Sequence, residues 1–174
     1  MIVFLSLGSN IGNRENYLKK AITAIASLEK NSVVEISSVY ETEPWGNKNQ
    51  AMFLNQVIAV ESELGPLEFL NICKKIEKNL GRTGGGESWG PRTIDIDILL
   101  YGNKVINEKA IRVPHPMICD RRFVLVPLAE IAPTVFIPGL GKTVREALSE
   151  CPDTGEVKLY EKSKRIMSEG GPLE

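Results

Sequence analysis

From Ile2 to Tyr101 the apolar residues switch repeatedly between the alternation of a strand and the three-to-four-residue step of a helix. The order of those switches restricts the fold more than any other feature. Ile2 to Leu7 is an apolar run of strand length, closed by the Gly8-Ser9-Asn10 turn. Asn13 then caps a helix in which Leu18, Ile22, Ile25 and Leu28 recur at helical spacing. SVVEISSVYETEP, residues 32–44, is β-branched and reads as one strand ended by Pro44; the loop EPWGNKNQA and the strand MFLNQVIAVES follow. Pro66 opens a second helix with Leu67, Leu70, Cys73, Ile76 and Leu80 on one face and a stop at Gly81. After the polar loop RTGGGESWGP, the run from Thr93 alternates Ile94, Ile96 and Ile98 with Asp95 and Asp97, then stays apolar through Tyr101. It is a strand with one buried face and two carboxylates on the other.

Strand, helix, strand, strand, helix, strand is the ferredoxin-like βαββαβ order, an α+β sandwich whose antiparallel sheet carries both helices on one face. The opposite face is left for ligands. Further on come an Asn-centred turn, YGNKVIN, and the segment AIRVPHP. RRFVLVPLAEIAP predicts a short or broken helix because Pro127 lies inside it, and GKTVREALSEC predicts a last short helix. The expected organisation is a single domain over residues 1–151 and a polar tail, 152–174, holding one edge strand.

Composition sets the outer bounds. The 174 residues are 43% hydrophobic and 25% charged, so the chain can bury a core. Its 21 lysines and arginines against 22 acids argue against a sequence-independent nucleic-acid binder, and any anion site must be local. Cys73, Cys119 and Cys151 lack the paired spacing of a zinc site or a redox dithiol and read as buried or free thiols in a reducing cytoplasm. The N-terminal apolar run has no basic residues before it, which fits a first strand rather than a signal peptide, and no stretch is long enough to span a membrane. A cytoplasmic protein with no nucleic-acid or membrane partner, a monomer or weak homodimer, is expected.

Residues two apart on a strand point the same way, so Asp95 and Asp97 stand roughly 7 Å apart at the backbone. Such carboxylates are ordinarily solvent-facing residues of a half-exposed strand. Here Arg92, Trp89, Gly84, Gly85 and Gly86 precede them, and a divalent cation between the two aspartates would relieve their repulsion. A metal beside an arginine and under a glycine loop is what phosphoryl transfer from ATP asks for. GSNIGN lacks the lysine and Ser/Thr of a P-loop, and GGG ends a helix instead of opening one. His115, the lone histidine, is aimed by Pro114 and Pro116, while Arg82, Arg92, Arg112, Arg121 and Arg122 are candidates for the local anion site. Phe53, Asn55 and Val57 alternate on one strand face and can address one ligand.

Taken together, LSLGSNIGNR, SSVYETEPWG, FLNQV, WGPRTIDIDILLYG, and VPHP followed by RRFVLVPLAEIAP make the chain resemble the 6-hydroxymethyl-7,8-dihydropterin pyrophosphokinases over about residues 1 to 150. The resemblance implies transfer of pyrophosphate from ATP to the pterin hydroxymethyl group in folate biosynthesis, with AMP leaving. It implies two magnesium ions on Asp95 and Asp97, and Arg82 and Arg92 stabilising transfer. It places ATP against Lys74, Glu77, Trp89, Arg92, Ile98, Arg112, His115 and Arg121. Thr42, Pro44 and Trp45 would line the pterin pocket, Asn55 and Asp95 would bond the pterin, and Phe53 and Phe123 would sandwich its ring. Family members usually carry further basic residues where this chain has TGGGES, a departure expected to weaken closure of that loop. A fusion with a neighbouring folate enzyme is not expected, because the chain ends soon after the matching region. Two other readings compete. A sugar-nucleotide glycosyltransferase would need a parallel doubly wound domain that the pattern lacks, and a non-catalytic ferredoxin-like ligand-binding module would leave Asp95, Asp97, Arg92 and His115 without a common task.

Overall fold

Both periodicities are realised in one antiparallel sheet and the helices packed on it. The computed structural model describes residues 1–82 and 91–160. The chain forms β1 (Ile2–Ser9), α1 (Arg14–Ala26), β2 (Asn31–Ile36), β3 (Tyr40–Thr42), β4 (Phe53–Ser62), α2 (Pro66–Asn79) and β5 (Asp95–Tyr101). Two short hairpins follow, β6 (Ile106–Asn107) with β7 (Arg112–Val113) and β8 (Phe136–Ile137) with β9 (Lys142–Thr143). Helices α3 (Arg122–Ile131) and α4 (Val144–Ser149) and the edge strand β10 (Val157–Leu159) complete the described elements. The main sheet runs β10-β3-β4-β1-β5, with β2 also on β4, and every pair is antiparallel. This is the ferredoxin-like order.

Side-chain alternation assigns the two faces. Val3, Leu5 and Leu7 of β1, Leu54, Ile58 and Val60 of β4, and Ile96 and Ile98 of β5 pack with Leu18, Ala21 and Ile25 of α1 and Phe69, Cys73 and Ile76 of α2. Asn13 caps α1 as expected, its Oδ1 accepting from the Asn16 amide at 3.1 Å. On α2, the expected Leu67 is 49% exposed and Phe69 fills the core instead, so the apolar stripe sits one step around the helix from the sequence reading.

Three further expectations need correction. SVVEISSVYETEP is not one strand: Ser37 pairs with Val57 through its amide (2.9 Å to the carbonyl) and its hydroxyl (accepting from the amide at 2.9 Å), and Ser38 then turns to bond Glu130 of α3. Pro127 does not break the helix: α3, ten residues long, is continuous through it. Finally, the second face is only half free. Phe4, Val57, Ala59, Leu99 and Leu100 on that face are buried against Val124, Leu125 and Leu128 of α3 and Val144 and Ala147 of α4, so ligands are left only the other half. A bulge between Phe4 and Leu5 lets Leu99 and Leu100 both face this second core. All three cysteines are free thiols. Among the described residues no helix is long and apolar enough to cross a membrane.

Candidate active site

The open half of the second face has a floor fixed by strand register. Asn55 of β4, Gly8 of β1 and Asp95 of β5 lie in one row; Val57, Ser6 and Asp97 lie in the next. Small residues on the central strand leave a hollow between the amide and the carboxylates. A Cβ on Gly8 would come within 2.8 Å of Asn55 Oδ1, so glycine is what lets that amide lie across the strand. The resulting cavity, about 310 Å³, is lined by Ser6 and Gly8 on its floor and by Thr42, Trp45, Phe53, Asn55 and Phe123 on one side. Arg82, Arg92, Asp95, Asp97, His115 and Arg121 make the other side.

The apolar side carries one ordered polar pair: Asn55 Nδ2 donates to Thr42 Oγ1 at 2.5 Å, both residues being buried. Phe123 and Arg121 are set by α3, whose first amide, at Arg122, donates to Asp153 Oδ2 at 3.0 Å. An aspartate from the C-terminal segment thus caps a helix with no side-chain cap of its own. The Arg121 guanidinium lies over Trp45 at 4.9 Å and Phe123 at 5.7 Å.

The charged side is a set of interlocked pairs. Arg82 bonds Asp95 at 2.9 Å and also contacts Glu77, whose Oε1 accepts from the Ile96 amide at 2.7 Å. Glu77 is buried, and that burial raises its pKa against the opposing pull of the Ile96 amide and Arg82. Arg121 stands 3.9 Å from Asp97. Withdrawal from water, with Asp95 and Glu77 close by, pushes Asp97 up to about 7 in spite of Arg121 and Arg82. Burial and the Arg121 charge hold His115 down at about 4. Its Nδ1 accepts from the Met117 amide at 3.1 Å, so the neutral ring carries its proton on Nε2 and is a donor there.

Among the described residues no three His, Cys, Asp or Glu side chains converge into a protein-only metal cage. Two same-face carboxylates on an open cavity, one of them short of positive charge, suit a hard cation that keeps waters and phosphate oxygens as its other ligands.

Most residues singled out from sequence therefore meet in one cavity. Pro44 instead lines a neighbouring cavity of about 260 Å³, which shares Thr42, Glu43, Trp45 and Phe123 with the first. Others also lie outside the main cavity: Lys74 and Arg112 are exposed, the Ile98 side chain packs in the α1/α2 core, and Arg122 contributes only its amide, to Asp153. Glu77 sits behind Arg82 instead of in the cavity wall. Trp89 and the Gly84–Gly86 loop lie outside the described residues. Sequence reading missed Ser6, Gly8 and Glu43 as lining residues. For Gly8 and Ser6 a signal existed: they break the apolar alternation of β1 on the side where Phe4 keeps it.

A family model described as 7,8-dihydro-6-hydroxymethylpterin-pyrophosphokinase (HPPK) matches residues 4–133. The chain is 45% identical over 134 residues to the 2-amino-4-hydroxy-6-hydroxymethyldihydropteridine pyrophosphokinase of Bacillus subtilis (strain 168), covering 77% of this chain and 80% of that one. It is 46% identical over 144 residues to the protein of the same name from Aquifex aeolicus (strain VF5), covering 83% and 88%. A crystal structure of an HPPK-DHPS protein in complex with substrates superposes with a TM-score of 0.70 at 16% identity, a likeness of fold. The match covers 86% of this chain but only 43% of that longer one.

Proposed function

The chain belongs to the 7,8-dihydro-6-hydroxymethylpterin-pyrophosphokinase family, a pyrophosphokinase of folate biosynthesis, and from that premise we propose how its cavity performs the transfer. ATP and 6-hydroxymethyl-7,8-dihydropterin are the substrates. The pterin ring lies between Phe53 and Phe123, with the Asn55 amide and the backbone near Thr42 and Trp45 meeting its polar edge. Asn55 gives up its bond to Thr42 as the ring arrives, and Gly8 leaves the amide room to do so.

Asp95 and Asp97 would hold magnesium, two ions in all, which would supply charge neutralisation to the phosphates and acidity to the pterin hydroxyl. Arg121 and the Nε2–H of neutral His115 bind the triphosphate, and Arg92 reaches it from the segment ahead of β5. Arg82, tethered between Glu77 and Asp95 in the ligand-free chain, is within reach of the cavity to stabilise the charge of the transferring group. The pterin hydroxyl oxygen bonds to the β-phosphorus and loses its proton to water as the bond from that phosphorus to the α,β-bridging oxygen breaks, and AMP leaves with the bridging oxygen. One domain over 1–151 carries the reaction in the cytoplasm as a monomer or weak dimer, and 152–174 is a tail whose first part adds strand β10 to the sheet.

The observation that carries this reading is the register that puts Asn55 and Asp95 in one row across Gly8, with Asp97 beside them over Ser6. It sets the Asn55 amide and the Asp95 and Asp97 carboxylates on one floor, which supports a heterocycle and a cation bound side by side. The test is a product assay with ATP, magnesium and the reduced pterin. Wild type is expected to form AMP and pterin diphosphate, and Asp97→Ala to form neither; ADP as the product would overturn the reaction assigned.

A further inference from the structure

Asn10 is buried, 5% exposed, one residue past the end of β1. Because β4 and β5 flank β1 and both run antiparallel to it, the end of β1 lies where the other two begin. β4 carries Phe53 and Asn55 at its start; β5 carries Asp95 and Asp97 at its start, with Arg92 in the segment just ahead of it. Asn10 therefore stands between the lead-ins of the two walls of the cavity.

Its hydrogen bonds divide between them. Toward β5, Asn10 Oδ1 accepts from the Arg92 amide at 2.8 Å and the Asn10 amide donates to the Arg92 carbonyl at 3.0 Å. Toward β4, Asn10 Nδ2 donates to the Ala51 carbonyl at 3.0 Å and to Gln50 Oε1 at 3.1 Å. Gln50 Nε2 in turn donates to the Asn47 carbonyl at 2.8 Å, which extends the connection into the loop that carries Trp45. One amide thus uses its acceptor on one wall and both its donors on the other. No other side chain type of this size presents an acceptor and a two-hydrogen donor side by side.

On the reading that the two walls bind pterin and ATP, we infer that Asn10 is a positioning residue that couples them. Ordering the Gln50–Ala51 segment around one ligand fixes the Asn10 amide, and the fixed amide holds the Arg92 backbone for the other. Neither ligand need touch Asn10. Coupling of this kind is a free energy shared between sites, so each ligand tightens the other by the same factor.

The discriminating variant is Asn10→Asp. It keeps the shape and the acceptor for the Arg92 amide but sets a carboxylate oxygen against Ala51 O and Gln50 Oε1, cutting one wall loose. Arg14 Nη1 still donates to the Met52 carbonyl at 2.9 Å, so the β4 lead-in keeps an anchor and the variant is expected to fold. Gln50→Ala, which removes only the outer partner, is the second variant.

The measurement is a pair of fluorescence titrations of 6-hydroxymethylpterin, without and with saturating magnesium α,β-methylene-ATP, whose bridge cannot be cleaved. In wild type the nucleotide analogue should tighten pterin binding by about 5-fold or more, and the factor should fall to within about 2-fold of one in Asn10→Asp. Gln50→Ala should give an intermediate factor. Wild-type coupling retained in both variants overturns the inference, even if Asn10→Asp is less heat-stable, because the role is then structural. Wild type that binds both ligands independently also overturns it. Wild type that binds neither ligand defeats the pyrophosphokinase reading first, and the inference with it.

Discussion

The cavity is built at a cost to stability, and Asp97 is where that cost is measurable. In the metal-free protein its carboxyl is pushed from the ordinary 3.8 up to about 7, first by withdrawal from water and then by Asp95. A folded pKa above the unfolded one means that Asp97 destabilises the fold progressively as pH rises from about 4 to about 7, and fully beyond. At 1.36 kcal/mol per pKa unit the ceiling is about 4 kcal/mol. The Asp97 side chain is 37% exposed, so solvent screening reduces this. A figure of about 1–2 kcal/mol remains. Asp97→Asn mimics the protonated acid at every pH. For a chain of this size each kcal/mol moves the melting temperature by about 2–4 °C, so at pH 8 in a chelator the variant should melt about 3–6 °C above wild type. At pH 4.5 the gap should nearly close. Thermal unfolding followed by circular dichroism at the two pH values reads this directly. A variant less stable than wild type at pH 8, or an equal gap at both pH values, would refute the claim that the Asp97 carboxylate is held there against withdrawal from water and repulsion by Asp95.

Other outcomes follow from the same geometry. His115, held down at about 4, contributes stability that is present above about 6.5 and lost as pH falls toward 4. Wild type should therefore lose about 2 kcal/mol more than His115→Gln between pH 7 and pH 4 in urea titrations, and equal losses would show that the imidazole is not kept neutral by its surroundings. Gly8→Ala places a Cβ against Asn55 Oδ1. Steady-state kinetics should show the KM for pterin raised about 10-fold with the KM for ATP nearly unchanged, and equal rises in both would point to a general distortion of β1. Glu77 serves the Ile96 amide and Arg82 together. Glu77→Ala should cost about 2–3 kcal/mol and Glu77→Gln, which keeps the acceptor for Ile96, about half of that; if urea unfolding finds the two alike, the amide bond is not what the carboxylate contributes.

What could be read in advance was what strand periodicity carries. The Asp95/Asp97 pair and the Phe53/Asn55 pair each obey the period of two, so their shared faces were visible in sequence and their meeting in one cavity followed from strand order. Periodicity could not show what depends on contacts between distant residues. The bond from Asn10 to Arg92 spans 82 positions, and the one from Ser38 to Glu130, which accompanies the break between β2 and β3, spans 92. Neither leaves a local pattern. The half-covering of the second face was missed for a related reason: α3 was visible as a helix, but which part of the sheet it covers is decided by where Phe4, Leu99 and Leu100 need burial. Glu77 shows the limit from the other side. It looks like one more charge on an amphipathic helix, and only the fold reveals the Ile96 amide waiting for it.

The most direct test of the central claim is a crystal structure of the protein soaked with 6-hydroxymethylpterin and magnesium α,β-methylene-ATP together. The account predicts the pterin ring between Phe53 and Phe123, its polar edge on Asn55, and magnesium density bridging Asp95 and Asp97 to the phosphates. Pterin seated in the neighbouring cavity behind Trp45, or nucleotide bound with the two aspartates free of metal, would contradict it.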